Sequence, residues 1–253
     1  LAPQLIKTQI QVKAQISNKE IWRIALPIML GNMAQTIINF TDTAFLGHVG
    51  VIALGASMLA GLFYLLFTTV AAGFAIGIQI IVARRFGEKN FSRIGVIFEH
   101  GSLFVLLLGS ILFSVLYFFS DRLLLLLIDS PNLYDASVEY IKYRQFGIIF
   151  VCFNFLYRGL YVGISNTKVI TYSTIIMAIV NIFLDYCLIF GNFGFPEMGI
   201  GGAALASFIA EVSAFIFFTV YSYITLRKKE FGMFRIHKLE SELMGRILKI
   251  STP

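Results

Sequence analysis

The stretch LPIMLGNMAQTIINFTDTAFLGHVG, residues 26–50, decides the fold. It is long and apolar enough to form a helix across a bilayer, which takes about 20 mainly apolar residues. It also carries Asn32, Gln35, Thr36, Asn39, Asp42 and Thr43. Spacings of three and four place these groups on one helical face. Polar groups at membrane depth turn toward a cavity or a partner, because lipid cannot satisfy them. Amides can also join neighbouring helices, so tight packing is one reading of the stripe and a water-filled cavity the other. Six polar groups on one face favour the cavity.

Working outward, the composition agrees with a membrane protein. The 253 residues are 58% hydrophobic and 13% charged, against roughly 25% charged in a soluble domain. Six apolar stretches have spanning length: approximately 21–46, 51–83, 94–120, 136–160, 168–190 and 200–226. Barrel strands would be shorter and alternate with period two. The expected fold is all-α, a polytopic six-helix bundle over 21–228. Residues 1–20 form a polar tail, and 229–253 a connection leading into a seventh helix. Lysine and arginine concentrate in the tail, in RRFGEKNFSR (84–93), around Arg158 and Lys168, and in RKKEFGMFRIHK (227–238), while the alternate connections are neutral or acidic. The positive-inside rule then places the N-terminus and the even-numbered loops in the cytoplasm. The same distribution accounts for the net charge of +6. No nucleic-acid motif accompanies it, and the basic segments need no partner beyond lipid headgroups.

The fifth span, VITYSTIIMAIVNIFLDYCLIFG (169–191), carries Asn181 and Asp185 on one face, with Thr174 deeper. The first and fifth spans run in the same direction. Asp42 and Asp185 each lie only a few residues before the outer end, about 6–10 Å below it. Two carboxylates at one depth are the makings of a proton or cation site, unless each is capped separately. In the sixth span, GIGGAALASFIAEVSAF (199–215) sets Gly201, Ala204, Ser207 and Glu211 at helical spacing. Small residues there imply close helix packing. Ser207 is a candidate cavity hydroxyl, and Glu211 is either a third titrating group or a hydrogen-bonded acid. Arg158 is expected at the inner end of the fourth span, where it marks the boundary or closes a gate. Cys152, Cys187 and the three scattered histidines lack metal or redox spacing. A membrane-embedded enzyme is therefore the weak alternative, and no catalytic residue or cofactor is expected.

Three segments carry a family resemblance: LPIMLGNMAQTIINFTDTAFLGHVG (26–50), YRGLYVGISNTKVITYSTIIMAIVNIFLDYCLIFG (157–191) and FPEMGIGGAALAS (195–207). In their order and spacing they resemble the multidrug and toxic compound extrusion (MATE) family. The resemblance implies one six-helix lobe of a two-lobed, twelve-helix transporter, each lobe opening on a proline-bearing helix. IWRIALP (21–27) and ILKISTP (247–253) fit those two openings, so a carboxy-terminal lobe is the expected partner. It also implies a secondary antiporter of the inner membrane that exports amphipathic, cationic organic compounds against entry of protons or sodium. A lipid-linked precursor flippase of the same superfamily is the alternative. By match to the family pattern, Asp42, Asn181 and Asp185 form the coupling site and would hold sodium if sodium is the ion. Gln35 and Tyr140 match polar positions lining the same cavity, Ser207 stands near where some members have threonine, and Asn39 joins the expected lining by its place on the polar stripe. Pro27 matches the proline at which the first helix can bend. Its missing N–H makes a kink inexpensive.

Overall fold

The computed structural model describes residues 18–226, 231–233, 240 and 244–245, with backbone only at 19, 20, 23 and 24. Expectations for the N-terminal tail and for ILKISTP lie outside the described residues. Every regular element among those described is helical: α1 (Asn18–Val49), α2 (Val51–Gly87), α3 (Phe91–Leu125), α4 (Pro131–Arg144), α5 (Ile148–Gly163), α6 (Lys168–Phe190) and α7 (Gly199–Thr225). A 3-10 turn, Gln145–Gly147, joins α4 to α5, so the two make one bent span. Among the described residues, five spans, α2, α3, α4/α5, α6 and α7, are long and apolar enough to cross a membrane. The polar-striped α1 runs beside them against α6 and α2.

Helix lengths follow from the apolar runs and overshoot the bilayer. The 37 residues of α2 extend about 55 Å, well beyond a hydrocarbon core of about 30 Å. Its excess end carries Arg84 and Arg85, which pair with Glu88 at 3.0 and 2.6 Å. This end, shared by the start of α3, is the basic end of the bundle. Leu66, Leu107 and Phe118 are more than half exposed; a bilayer-facing surface tolerates them because lipid is as apolar as they are.

Small residues let the helices close on each other, as the glycine-rich start of the sixth span predicts. A Cβ on Gly202 would stand 2.6 Å from the Leu188 carbonyl oxygen, and one on Gly159 2.6 Å from that of Ala75. Glycine at these positions brings α7 onto α6 and α5 onto α2. The core between α5 and α7 is aromatic: Phe218 stacks with Tyr157 and Tyr161, at centroid distances of 5.3 and 5.8 Å. The buried tyrosine hydroxyls need partners, and α7 supplies them in Thr219 and Ser222 at 3.1 and 2.8 Å. Gly191 ends α6 with φ +71°, a conformation that favours glycine, and Glu197 Cβ would lie 3.1 Å from any added Cβ.

After α7 the chain returns to the basic end of α3. Phe231 packs near Phe91 at 5.4 Å between centroids, and Gly95 leaves room for the backbone of Phe231 and Gly232. The Glu240 carboxylate pairs with Arg93, and its backbone N–H donates to His100 Nε2 at 2.9 Å.

Candidate functional site

Proline shapes α1 first. Pro27 is the tenth residue of α1, which begins at Asn18, so it lies in the helix interior rather than in a harmless first turn. Its carbonyl accepts a hydrogen bond from the Thr171 hydroxyl of α6 at 2.5 Å. A Cβ on Gly31, one turn further, would lie 3.7 Å from Thr174 Oγ1. The helix is thus anchored to α6 where its own hydrogen-bond ladder is interrupted.

Beyond that anchor the polar stripe of α1 divides. Gln35, Asn39 and Asp42 line a cavity of about 140 Å³, completed by Ile38, Tyr140, Arg144, Met177, Asn181, Ser207, Ala210 and Glu211. Gln35 donates to Asn39 at 3.3 Å. Asn32, Thr36 and Thr43 are exposed and outside the lining. The Thr36 and Thr43 hydroxyls donate back to carbonyls of their own helix at 3.0 and 2.7 Å. The cavity reading holds for half of the stripe.

The expectation of level carboxylates becomes a contact. Asp42 of α1 and Asp185 of α6 lie within hydrogen-bonding reach of each other. Asp185 and Asn181 are fully buried, at 0% and 1% exposure. No hydrogen bond from elsewhere in the described structure reaches Asp42 Oδ1, either Asp185 carboxylate oxygen, or either polar atom of the Asn181 amide. Buried polar atoms are rarely left so. Two carboxylates in contact cannot both keep their charge in a buried site without a proton or cation between them. With Asn181 Oδ1 they offer an all-oxygen donor set, which suits a hard cation. The residues present therefore fit sodium as well as a proton. No group of three or more His, Cys, Asp or Glu side chains with metal-site geometry occurs among the described residues.

The structure also decides Glu211. Rather than standing as a third free carboxylate, it is gripped by Arg144, whose two terminal nitrogens donate to its oxygens at 2.7 and 2.5 Å. Arg144 is the charged cavity-lining residue that sequence reasoning passed over. The available signal was an arginine well inside a spanning stretch, in YIKYRQFG (140–147). Its guanidinium lies over the Tyr64 ring, 4.4 Å from the centroid, and within reach of the Tyr140 hydroxyl. Asn154 of α5 donates to the Glu211 carbonyl at 3.0 Å. Arg158, expected at the inner boundary, lies five residues before the end of α5 and is partly covered.

The MatE family model matches residues 27–187. The chain is 28% identical over 231 residues to a probable multidrug resistance protein NorM of Agrobacterium fabrum, an alignment covering 91% of this chain and 50% of that protein. It is likewise 28% identical over 249 residues to a probable multidrug resistance protein YoeA of Bacillus subtilis, covering 94% and 53%. The fold matches a solved structure described as the outward-facing conformation of a multidrug resistance MATE family transporter. There the TM-score is 0.83 at 23% identity, over 92% of this chain and 51% of the other. The chain spans about half the length of the relatives it matches. The extent of the family match and the helical bundle together lead to one conclusion: the chain belongs to the multidrug and toxic compound extrusion (MatE) family and has the fold of one lobe of such a transporter.

Proposed function

We propose that this lobe is half of a secondary antiporter that exports amphipathic, cationic organic compounds in exchange for protons or sodium ions. The contact between Asp42 and Asp185 beside the cavity carries the reading. With one proton already shared by the pair and a further proton or sodium bound, with Asn181 as neutral ligand, the two carboxylates are neutralised and the cavity holds a cationic compound weakly. When that further ion leaves, the pair, still sharing one proton, presents a single negative charge to the cavity and attracts such a compound. A second ion arriving from the opposite side competes for the same oxygens and expels the cargo. Because Asp42 and Asp185 belong to different helices, ion binding also changes the force between α1 and α6, which are pinned together at Pro27 and Thr171. The interrupted ladder at Pro27 is where α1 yields.

The names of the relatives support efflux, and the positive-inside rule supports placing the basic end in the cytoplasm. The second lobe of the pathway is the required partner. The test is export from vesicles of cells expressing the complete reading frame that contains this sequence, under a proton gradient alone and under a sodium gradient alone. One gradient drives export in the parent, and Asp42→Asn and Asp185→Asn each abolish it while remaining folded and inserted. Full export by both variants would remove the carboxylates from the mechanism.

A further inference from the structure

The Arg144–Glu211 ion pair has the wrong setting for a mere tether. Its side chains are 14% and 10% exposed, and both line the cavity that Asp42 lines. The Tyr140 hydroxyl, which lines the same cavity, is in reach of the guanidinium. Local structure is shaped to keep the pair there. The helix tightens into its 3-10 turn immediately after Arg144, and Gly147 lies under the pair. A Cβ on Gly147 would stand 2.9 Å from Arg144 Nη1 and 3.4 Å from the Tyr64 hydroxyl, and would overlap the Glu211 carboxylate. A mid-helix 3-10 turn often marks a functional position.

We propose that the Arg144–Glu211 pair sets the affinity of the Asp42–Asp185 site for its cation. This rests on the reading of Asp42 and Asp185 as the ion-binding pair. A bare guanidinium beside Asp42 would repel an incoming ion, and a bare carboxylate would hold it too tightly to release. Paired, their fields largely cancel at Asp42, leaving a site that can load and unload. The other polar groups lining this cavity with Asp42, namely Gln35 and Asn39 of α1, Tyr140 of α4, Asn181 of α6 and Ser207 of α7, carry no charge at neutral pH. Arg144 and Glu211 are therefore the charged side chains lining this cavity that can tune the site from outside it.

The two single substitutions must then act in opposite directions. Glu211→Gln leaves the guanidinium unbalanced and weakens ion binding, whereas Arg144→Gln leaves Glu211 unbalanced and strengthens it. Unit charges several ångströms away in a site of intermediate dielectric alter binding by about ten- to thirtyfold. The double variant Arg144→Gln/Glu211→Gln returns to within about threefold of the parent. The chain is purified into lipid nanodiscs, and its heat stability is titrated with sodium at fixed pH and with protons in sodium-free buffer. The ion concentration for half the stabilisation is the readout, and Asp42→Asn is the arm that should not respond. If Arg144→Gln does not fold, the comparison of Glu211→Gln with the double variant still isolates the charge of Arg144, the double variant requiring about tenfold less ion. Unchanged half-saturation in all variants, or shifts of the same sign in both single variants, overturns the proposal and makes the pair a tether between α4 and α7. A parent that responds to neither ion overturns the Asp42–Asp185 reading itself, and this proposal with it.

Discussion

Asp185→Asn should make the ion-free protein more stable, although the residue is fully buried. Removing a buried charged group commonly destabilises by stranding its partner. Here the partner is another carboxylate, so the substitution removes a repulsion instead. At about 4 Å and an effective dielectric near 20, two unit charges repel by about 4 kcal/mol. A shared proton relieves part of this in the parent, and the expected gain is about 1–3 kcal/mol. It grows as the pH rises, because fewer protons are available to hold the pair together. The asparagine amide can also donate to Asp42, which no hydrogen bond from elsewhere in the described structure reaches at Oδ1. For a chain of this size, about 1 kcal/mol corresponds to about 2–4 °C in melting temperature. The assay is thermal unfolding in nanodiscs at mildly alkaline pH, without sodium and with saturating sodium. If sodium is the coupling ion, it stabilises the parent by about 2.7 kcal/mol at a hundredfold excess over Kd and leaves the variant unmoved. An Asp185→Asn protein less stable than the parent without sodium would refute the reasoning, since each carboxylate would then have its own partner.

Asn181→Ala removes a neutral ligand while sparing both carboxylates, and should raise the ion concentration needed for half-maximal export without abolishing export. Pro27→Ala restores an N–H to the interior of α1 and should slow turnover more than it weakens substrate binding, as single-turnover and steady-state export will show. Thr171→Val, which removes the hydroxyl held on the Pro27 carbonyl, should alter the same turnover step. Gly202→Val pushes a side chain against the Leu188 carbonyl and should cost more than about 3 kcal/mol, seen as loss of folded protein on extraction. Glu88, just beyond α2, is held below the usual carboxylate range by its hydrogen bonds to Arg84 and Arg85. A lowered value means that this contact is in place at neutral pH and is lost as the pH falls through the lowered value. Because the group is exposed, Glu88→Gln should leave the melting temperature unchanged near neutrality.

Much of this molecule was legible in its sequence because membrane depth is a local quantity. An apolar run of sufficient length is a span, and the distribution of lysine and arginine orders the ends. A rise of about 1.5 Å per residue places Asp42 and Asp185 at one level before any contact is known. Helical spacing is local too, so Asn181 and Asp185 had to share a face, as did the stripe of α1. What no local rule contains is the direction in which each face points. That depends on how neighbouring helices rotate and cross, and those angles are set by close approaches such as Gly202 on Leu188 and Gly159 on Ala75. Only the packed bundle therefore decides that Asp42 meets Asp185 and that three residues of the α1 stripe lie outside the cavity lining. It also decides that Glu211, 67 positions from Arg144 in the chain, is an ion-paired acid: a charge's partner across a bilayer is determined by which helices touch, and sequence separation carries no record of that.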